Sequence, residues 1–412
     1  MRSSAASDVY KRQDLLDSMS SRNSKCLLAY IYGLENAGDF AICLGSIDYL
    51  LDHYAEVVAV SRFSEKDPRH REILCYLSQR YGDRVILLPS PFSLDRSSGF
   101  KTVESYAKGA ISLARCMVFG WKNETVRECS CVYINGGNIL RCATLTDYVR
   151  LKPFLFFSKL ARRNGIPCIF LPQSTTEIKK YGEKSILREL NQAALVCLRE
   201  SQSFNLINDV MAENLLLSID MAYFIRDFTR VPSKYNVDKN TVCITLRNYS
   251  IGDLEELDIL SQNEIQKAIL RLISALKEKN ITPLIIVQTR KDLEFSETVA
   301  SLCDYKVEIL EEHDPLILRA IYASCRCLVG MRLHSLILAS SVGTPIVGYF
   351  DRSWGLKNPG TLGDLKMPYA FIGDDVSLFS LINDAQSVVE EMKIIIDRRK
   401  NELVKSCKDL LV

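Results

Sequence analysis

The stretch CRCLVGMRLHSLILASSVGTPIVGYF, Cys325–Phe350, decides the fold of this chain. Its first run, Cys325–Val329, is short, apolar and typical of a buried strand, and its last run, Ile346–Phe350, has the same character. Between them, Leu336–Ser341 has the composition of a helix and is followed by a turn with glycine and proline. A strand, a helix and a second strand in this order form a βαβ unit, which favours a parallel sheet.

The turn between the first strand and the helix carries the most informative side chains of the chain. Arg332, Leu333 and His334 stand there, at the expected start of the helix. Backbone N–H groups at a helix start have no partner within the helix and the helix dipole is positive there, so an arginine and an imidazole complete a site for an anion. In open α/β sheets, ligands bind beyond the carboxyl ends of strands. The turn therefore predicts an enzyme with a small, strongly anionic substrate.

Short apolar runs alternate with longer amphipathic runs along most of the chain, as in α/β proteins. Around residues 226–240 the pattern gives way to a polar segment with Pro232, and a new series starts with the strand-like Val242–Leu246. The restart predicts two Rossmann-like parallel-sheet domains that face each other across a cleft. The expected domains are an N-terminal α/β domain at 25–230 and a C-terminal α/β domain at 240–375. The remaining parts are a disordered or non-native extension at 1–24 and a helical tail at 376–412 that packs back on the body.

The composition excludes several classes of partner. Hydrophobic residues make up 47% of the 412 residues and charged residues 25%, the balance of a soluble globular protein. The 52 basic and 50 acidic residues leave a net charge of +2, so no global field favours nucleic acid or a membrane surface. The sequence shows no apolar run of about 20 residues, and we expect no signal peptide because residues 1–13 are polar. We expect a cytoplasmic protein, with at most peripheral contact with the inner face of the membrane.

The 14 cysteines predict neither disulfides nor a metal site. Most of them stand in apolar runs, where a free cysteine behaves as a small buried hydrophobe. The pairs Cys129-x-Cys131 and Cys325-x-Cys327 lack the two-residue spacers and the partner pairs of a zinc site. We therefore expect no bound metal.

A second candidate site follows the first predicted strand, where the chain reads YGLENAGD at residues 32–39. Asn36 and Asp39 suit the cap of the helix that starts there. The segment does not match Gly-x-Gly-x-x-Gly, so it gives little support for dinucleotide binding. Asp39 is either a helix cap or a catalytic or acceptor-binding residue, and the two roles can coexist.

Two further strand ends carry candidate residues. Gly136 and Gly137, in the sequence INGGN at 134–138, allow the backbone to approach a ligand closely. Arg247 ends the first strand of the second half, and an arginine fork binds carboxylate or phosphate through two parallel hydrogen bonds. A surface salt bridge is the alternative for Arg247 taken alone. With Arg332 and His334 in the same half of the chain, ligand binding is the better interpretation.

Taken together, these segments resemble the polysaccharide pyruvyl transferase family. The matching segments appear in order over roughly residues 25–349. They are NAGD at 36–39, INGG at 134–137, LPQS at 171–174, LRES at 198–201, DMAY at 220–223, TLR at 245–247 and GMRLH at 330–334. The last of these is the most specific.

The resemblance implies a glycosyltransferase-B-like architecture and an enzyme that moves the pyruvyl group of phosphoenolpyruvate onto a sugar, giving a cyclic ketal and phosphate. The acceptor would be a saccharide or glycolipid, from a cell-surface polysaccharide or its lipid-linked precursor. Phosphoenolpyruvate is a substrate, and no further cofactor is implied. Arg332, Leu333, His334 and Arg247 would form the donor side. The other implied substrate-binding residues are Asn36, Gly136, Gly137, Gln173 and Ser174.

Ketal formation requires a proton at the methylene carbon of the donor and a base for the acceptor hydroxyl. His334 is the candidate for proton transfer, or for stabilising the departing phosphate, and Asp39 is the candidate base. Two alternatives remain at this point: a nucleotide-sugar-dependent glycosyltransferase of the same architecture, and a non-catalytic saccharide-binding subunit. The acceptor sugar, the ketal positions and assembly into a homo-oligomer are left open.

Overall fold

The computed structural model describes residues 24–92, 111–116, 121–140, 145–175, 182–208, 214–227, 230–232, 235–248, 259–355 and 357–410. Residues 1–23 of the predicted extension lie outside these ranges. Contacts divide the chain into two compact units. The first comprises residues 1–33, 43–197 and 210–215, and the second comprises 34–42, 198–209 and 216–412. Two segments from the first half of the chain, 34–42 and 198–209, thus belong to the second unit.

The first sheet is built mostly from buried apolar runs. Its strands are β1 (Lys25–Ile31), β2 (Glu56–Ser61), β3 (Val85–Leu88), β4 (Cys129–Ile134), β5 (Gly137–Leu140), β6 (Cys168–Thr175), β7 (Leu195–Leu198) and β8 (Leu215–Leu217). They are ordered β3-β2-β1-β4-β6-β7-β8, and β5 also pairs with β6. The pairings from β3 through β6 are parallel, with Leu28 opposite both Ala59 and Tyr133. The order reverses between β1 and β4.

Helices also lie in the described part of the first half of the chain. They are α1 (Ala37–Leu50), α2 (Pro68–Tyr81), α3 (Asn123–Arg127), α4 (Leu145–Arg163), α5 (Glu183–Asn191) and α6 (Ser201–Asn208). The ends of α2 show how the sequence sets such boundaries. Asp67 accepts a hydrogen bond from the Arg69 amide at 3.0 Å, and Pro68 occupies the first turn. Gly82, with φ of 57°, ends the helix in a conformation that favours glycine.

The second sheet has the strand order of a dinucleotide-binding fold, without its glycine motif. Its strands are β9 (Thr241–Thr245), β10 (Thr282–Val287), β11 (Glu308–Glu311), β12 (Cys327–Gly330), β13 (Ile346–Phe350) and β14 (Tyr369–Phe371). They are ordered β11-β10-β9-β12-β13-β14, and all recorded pairings are parallel. The order reverses between β9 and β12, where Thr245 lies opposite Gly330. Ligands of such sheets bind at this switch point.

The helices of the second half are α7 (Ile259–Glu278), α8 (Leu293–Ser301), α9 (Pro315–Ser324), α10 (Leu333–Ser340), α11 (Lys357–Asp364) and α12 (Leu378–Asp409). Helix α10 packs on β12 and β13, and α12 packs on β13 and on α7. The predicted tail is thus a single long helix on the second unit. Its buried side includes Ile382, Met392 and Leu403.

The prediction of an α/β fold with two parallel-sheet domains is confirmed. Both sheets are buried, since β4 and β12 expose almost none of their side chains. Of the helices in the described ranges, none combines the length and the apolar character needed to cross a membrane. No disulfide bond joins the cysteines of the described residues, and most of them are buried.

Candidate functional site

The turn between β12 and α10 is held in place from within the second unit. Strand β12 ends at Gly330, where a Cβ would lie 2.9 Å from the Leu336 side chain and 3.0 Å from Thr245 Oγ1. Thr245 and Ser335 share a hydroxyl hydrogen bond of 2.8 Å, and Ser335 Oγ donates to the Arg332 carbonyl at 2.6 Å. Arg332 precedes α10 in an extended conformation. A glycine and two small hydroxyl residues thus set the position of the predicted anion site.

His334 is a mostly buried imidazole with an unsatisfied nitrogen. Its side chain is 17% exposed, and its Nε2 lies 4.0 Å from Asp220 Oδ2. This Nε2 makes no hydrogen bond with the described residues. The other side of the ring packs against Gly38, where a Cβ would overlap the imidazole. Gly38 therefore closes one side of the ring, while Nε2 on the other side has no hydrogen bond in the described structure.

Burial lowers the pKa of His334 to about 4. Asp220 and Asp39 act in the opposite direction, because a nearby negative charge favours the imidazolium, whereas Arg199 and Lys357 disfavour it. At neutral pH the imidazole is therefore uncharged in this arrangement. The imidazole predicted from the sequence therefore adds no positive charge to this group of side chains at neutral pH.

Asp220 is a fixed carboxylate beside the imidazole. Its side chain is buried, and its Oδ2 accepts a hydrogen bond from Arg199 Nη1 at 2.5 Å. Its Oδ1 accepts from the Ala222 amide at 2.8 Å, which caps a short 3-10 helix. Arg199 also lies 3.8 Å from a carboxylate oxygen of Glu200. Both oxygens of Asp220 are thus held, and one of them faces His334.

Lys357, the first residue of α11, adds a cation to this group. Burial lowers its pKa to about 8, with Arg199 and Arg247 contributing, while Glu200 and Asp39 oppose the shift. The neighbours that act on Lys357 therefore overlap with those that act on the imidazole.

Helix α11 is anchored at its other end. Asp364 accepts hydrogen bonds from Ser201 at 2.8 Å for the amide and 2.6 Å for the hydroxyl, and Arg399 lies 3.2 Å away. Gly360 packs against Gln202, where a Cβ would lie 2.9 Å from the side chain. These contacts hold α11 against α6, the helix that follows Arg199 in the chain.

The two predicted arginines stand at the switch point of the second sheet, since Arg247 follows β9 and Arg332 follows β12. The Arg247 guanidinium carbon lies 4.2 Å from the ring centroid of Trp354, a cation–π contact. Arg332 is paired with Asp292: its Nε donates to Oδ2 at 2.8 Å and its Nη2 to Oδ1 at 2.5 Å. One edge of the Arg332 fork is thus already occupied by a carboxylate.

Asn36 and Asp39 lie at the start of α1, in the segment that belongs to the second unit. Asn36 acts as the cap, because its Oδ1 accepts from the Gly38 amide at 3.1 Å. Asp39 stands in the first turn, and its Oδ2 accepts from Asn36 Nδ2 at 2.9 Å. The capping role proposed for Asp39 thus falls to Asn36. The Asp39 carboxylate contributes instead to the electrostatic field at His334 and Lys357.

The other predicted residues form a separate buried group in the first unit. Gln173 Nε2 donates to the Asn135 carbonyl at 2.6 Å, while its Oε1 has no hydrogen-bond partner in the described part of the chain. Tyr32 donates its hydroxyl to the Gly136 carbonyl at 3.2 Å. Gly137 has a φ of 133°, and a Cβ there would lie 3.0 Å from the Tyr32 hydroxyl.

Neither Gln173 nor Ser174 is exposed. The hydrogen bond of Gln173 connects β6 to the segment between β4 and β5. For all of these residues, contact with a substrate remains a prediction.

Sequence reasoning missed Lys357 and Asp292, and it gave Arg199 and Asp220 no individual role. Arg199 directly follows β7, so a charged residue at the end of an apolar run was the available signal. Asp292 and Lys357 lie in segments without such a pattern. Among the described residues, no group of three or more His, Cys, Asp or Glu side chains could hold a metal ion.

The chain matches the sequence model of a known family. That model, described as polysaccharide pyruvyl transferase, matches residues 36–351. No curated protein matches the chain in a sequence search.

Solved structures share the fold at low sequence identity. UGT89C1 of Arabidopsis thaliana, complexed with quercetin, has a TM-score of 0.56 at 10% identity over 95% of this chain and 98% of its own. UGT2 of Phytolacca americana, complexed with UDP-2fluoro-glucose and pterostilbene, has a TM-score of 0.55 at 9% identity, with 95% and 99% covered. The UDP-GlcNAc 2-epimerase of Neisseria meningitidis, bound to UDP-GlcNAc, has a TM-score of 0.52 at 13% identity, with 93% and 100% covered. These likenesses establish a glycosyltransferase-B-like architecture.

Proposed function

The chain belongs to the polysaccharide pyruvyl transferase family, and on this basis we propose that it transfers the pyruvyl group of phosphoenolpyruvate to a saccharide as a ketal. The assignment of the site rests on one observation. His334 presents an unpartnered Nε2 among Arg199, Lys357 and Asp220, beside the switch point where Arg247 and Arg332 stand. A carboxylate and a phosphate on one small donor suit such a set of cations.

The reaction balances without water. One acceptor hydroxyl adds to the carbon of the donor that bears the phosphate, and a proton adds to the methylene carbon. The bond from the central carbon of the donor to the phosphate oxygen breaks, and a second hydroxyl of the acceptor adds to the same central carbon and closes the ketal. Of the two hydroxyl protons, one replaces the proton delivered to the methylene carbon and the other leaves with phosphate.

His334 is the proposed proton donor or phosphate ligand, and the role of proton donor requires an imidazolium, which the unliganded site does not favour. Burial lowers the pKa of His334 to about 4. A donor with several negative charges raises that pKa, because opposite charge favours the imidazolium. Donor binding and protonation of His334 thus support each other. Asp39, whose field reaches His334, is the proposed base for the acceptor hydroxyl.

The acceptor belongs to a cell-surface polysaccharide or to its lipid-linked precursor, in keeping with the family. The cytoplasmic location and the absence of a cofactor remain predictions. The glycosyltransferase-like fold alone does not favour a nucleotide-sugar donor, because pyruvyl transferases and nucleotide-sugar enzymes can share an architecture.

The test compares His334→Ala and Arg332→Ala with the wild type in acceptor-dependent phosphate release from phosphoenolpyruvate. Both variants should lose most of the activity. His53→Ala is the control, since His53 follows the far end of α1. Mass spectrometry of the acceptor should show the gain of one pyruvate less one water. Full activity in either site variant would contradict the assignment, and thermal stabilisation by uridine- or guanosine-sugars instead of phosphoenolpyruvate would favour a glycosyltransferase.

A further inference from the structure

We propose that Asp292 is a positioning residue that holds Arg332 and the segment of Arg247 in one fixed arrangement for the donor. This inference rests on the proposed function, because it names a further residue of the same site.

The carboxylate of Asp292 contacts both arginine-bearing segments. Its Oδ2 accepts from Arg332 Nε at 2.8 Å, and its Oδ1 accepts from Arg332 Nη2 at 2.5 Å. Oδ1 also accepts from the amide of Asn248, the residue after Arg247, at 2.9 Å. One side chain thus connects the end of β9 to the turn after β12.

The carboxylate of Asp292 does not cap the helix that it precedes. It ends a short 3-10 helix and stands at the cap position of α8, where aspartate commonly accepts a hydrogen bond from the helix amides. No such capping bond is formed. Only its backbone carbonyl bonds to that helix, accepting from Ser296 Oγ at 2.8 Å. The carboxylate is directed to Arg332 and Asn248 instead, which indicates that its role lies at the site.

The exposures of the two partners show which group faces a ligand. The Asp292 side chain is 2% exposed, whereas that of Arg332 is 25% exposed. The Arg332 guanidinium donates from Nε and Nη2 to Asp292, and its Nη1 makes no hydrogen bond within the described ranges. A bidentate pair of this kind fixes the plane of the guanidinium. Asp292 therefore orients the free edge of Arg332 for an anion.

Positioning and simple neutralisation predict opposite effects of Asp292→Asn. If Asp292 only neutralised Arg332, its negative charge would weaken donor binding in the wild type. Removing that charge would then increase the positive potential beside Arg332. Loss of the charge would therefore lower the KM for phosphoenolpyruvate. A residue that positions the fork would, on removal, raise that KM.

The experiment measures kcat and KM for phosphoenolpyruvate and for the acceptor in the wild type, Asp292→Asn and Asp292→Glu. We expect the donor KM to rise about tenfold in Asp292→Asn, because misplacement of a binding group is costly. The acceptor KM should stay unchanged and kcat should change far less than the donor KM. Asp292→Glu keeps the charge but moves it, and we expect it to remain impaired.

Asp48→Asn is the matched control. Asp48 is also buried and paired with an arginine, Arg80, at 3.1 Å, and it accepts from the Tyr81 hydroxyl at 2.9 Å. It should lose comparable thermal stability without a change in donor KM. A lowered or unchanged donor KM in Asp292→Asn, or full recovery in Asp292→Glu, would overturn the inference.

A second measurement separates this inference from the proposed function. In arginine-labelled protein, the Arg332 Nε–H resonance, assigned with Arg332→Lys, should be protected from exchange and should lose that protection in Asp292→Asn. If the wild type neither binds nor turns over phosphoenolpyruvate, the proposed function fails while the resonance still reports on the anchoring. An Nε–H that exchanges freely in the wild type would refute the positioning role directly.

Discussion

Gly38→Ala is the most direct test of how closely the site depends on the position of His334. Gly38 lies in the first turn of α1, and an added Cβ would overlap the Cβ, Cγ and Nδ1 atoms of His334. Since carbon atoms in contact lie about 3.5–4.0 Å apart, the imidazole or the helix must move by about 1 Å. The imidazole is displaced more easily than the helix, because its Nε2 has no hydrogen bond to hold it in the described structure.

Such a displacement should cost about 100-fold in kcat/KM, because a reacting group misplaced by about 1 Å loses its alignment. This corresponds to about 2.7 kcal/mol of transition-state stabilisation. Folding should suffer less, since alanine is favoured over glycine in a helix by about 0.5–1 kcal/mol, which offsets part of the strain. The expected signature is thus a large loss of activity with a small change in melting temperature.

The assay is acceptor-dependent phosphate release, with Gly363→Ala as the control. Gly363 lies in α11, and a Cβ there would meet no described atom within 4 Å. This control should keep wild-type activity and gain slightly in stability. On a His334→Ala background, Gly38→Ala should cause little further loss, because there is no ring left to displace. Wild-type kcat/KM in Gly38→Ala, or an undiminished effect on that background, would refute the reasoning.

Three further results are expected. Because the pKa of Lys357 is lowered to about 8, its charge is lost as the pH rises through 8. The KM for phosphoenolpyruvate should increase there, and initial rates of Lys357→Arg should place that increase at higher pH. The pKa of His334 is about 4 in the folded protein against 6.5 without burial, so the unfolded chain binds more protons between these values. The free energy of unfolding should therefore be highest above pH 6.5 and fall by up to about 3 kcal/mol as the pH drops to 4. Chemical denaturation at a series of pH values checks this, and His334→Gln should remove that part of the pH dependence. Asp364→Asn weakens the contacts of α11 with Ser201 and Arg399, so it should lower the free energy of unfolding by about 2 kcal/mol and raise the donor KM, as seen in denaturation and rate measurements together.

The fold could be predicted from the sequence where an element is buried, because its sequence is then a continuous apolar run. Strands β9, β12 and β13 are fully buried and were expected, since apolar runs bounded by turns indicate core strands. Strand β11 was not expected, because it lies at the sheet edge and exposes Glu308 and Glu311. Helix α11 was also missed: its sequence KNPGTLGD has low helix propensity, and it is held by the contacts of Asp364 and Gly360 with α6.

The residues of the candidate site also fall into those that the sequence indicated and those that only the structure revealed. Arg332, His334 and Arg247 follow strand ends in the sequence, so a local pattern was enough to single them out. Asp292 could not be found in this way, because its pairing with Arg332 depends on two loops that only the sheet order brings together. The uncharged state of His334 was equally inaccessible, since burial is its first cause and burial is a property of the folded chain.

Under the proposed function, the balance of charges makes protonation of His334 part of donor binding. The basic side chains are Arg199, Arg247, Arg332 and Lys357, and the acidic ones are Asp39, Glu200, Asp220 and Asp292. These are equal in number, so with an uncharged imidazole the group carries no excess charge for a polyanionic donor. The donor must then be held by local geometry, namely the free edge of Arg332 and the amides at the start of α10, and by a gain of positive charge on binding. In the proposed reaction, protonation of His334 supplies that charge together with the proton that the methylene carbon receives. Proton uptake should therefore accompany donor binding, and calorimetry in buffers of different ionisation enthalpy should detect it in the wild type but not in His334→Gln.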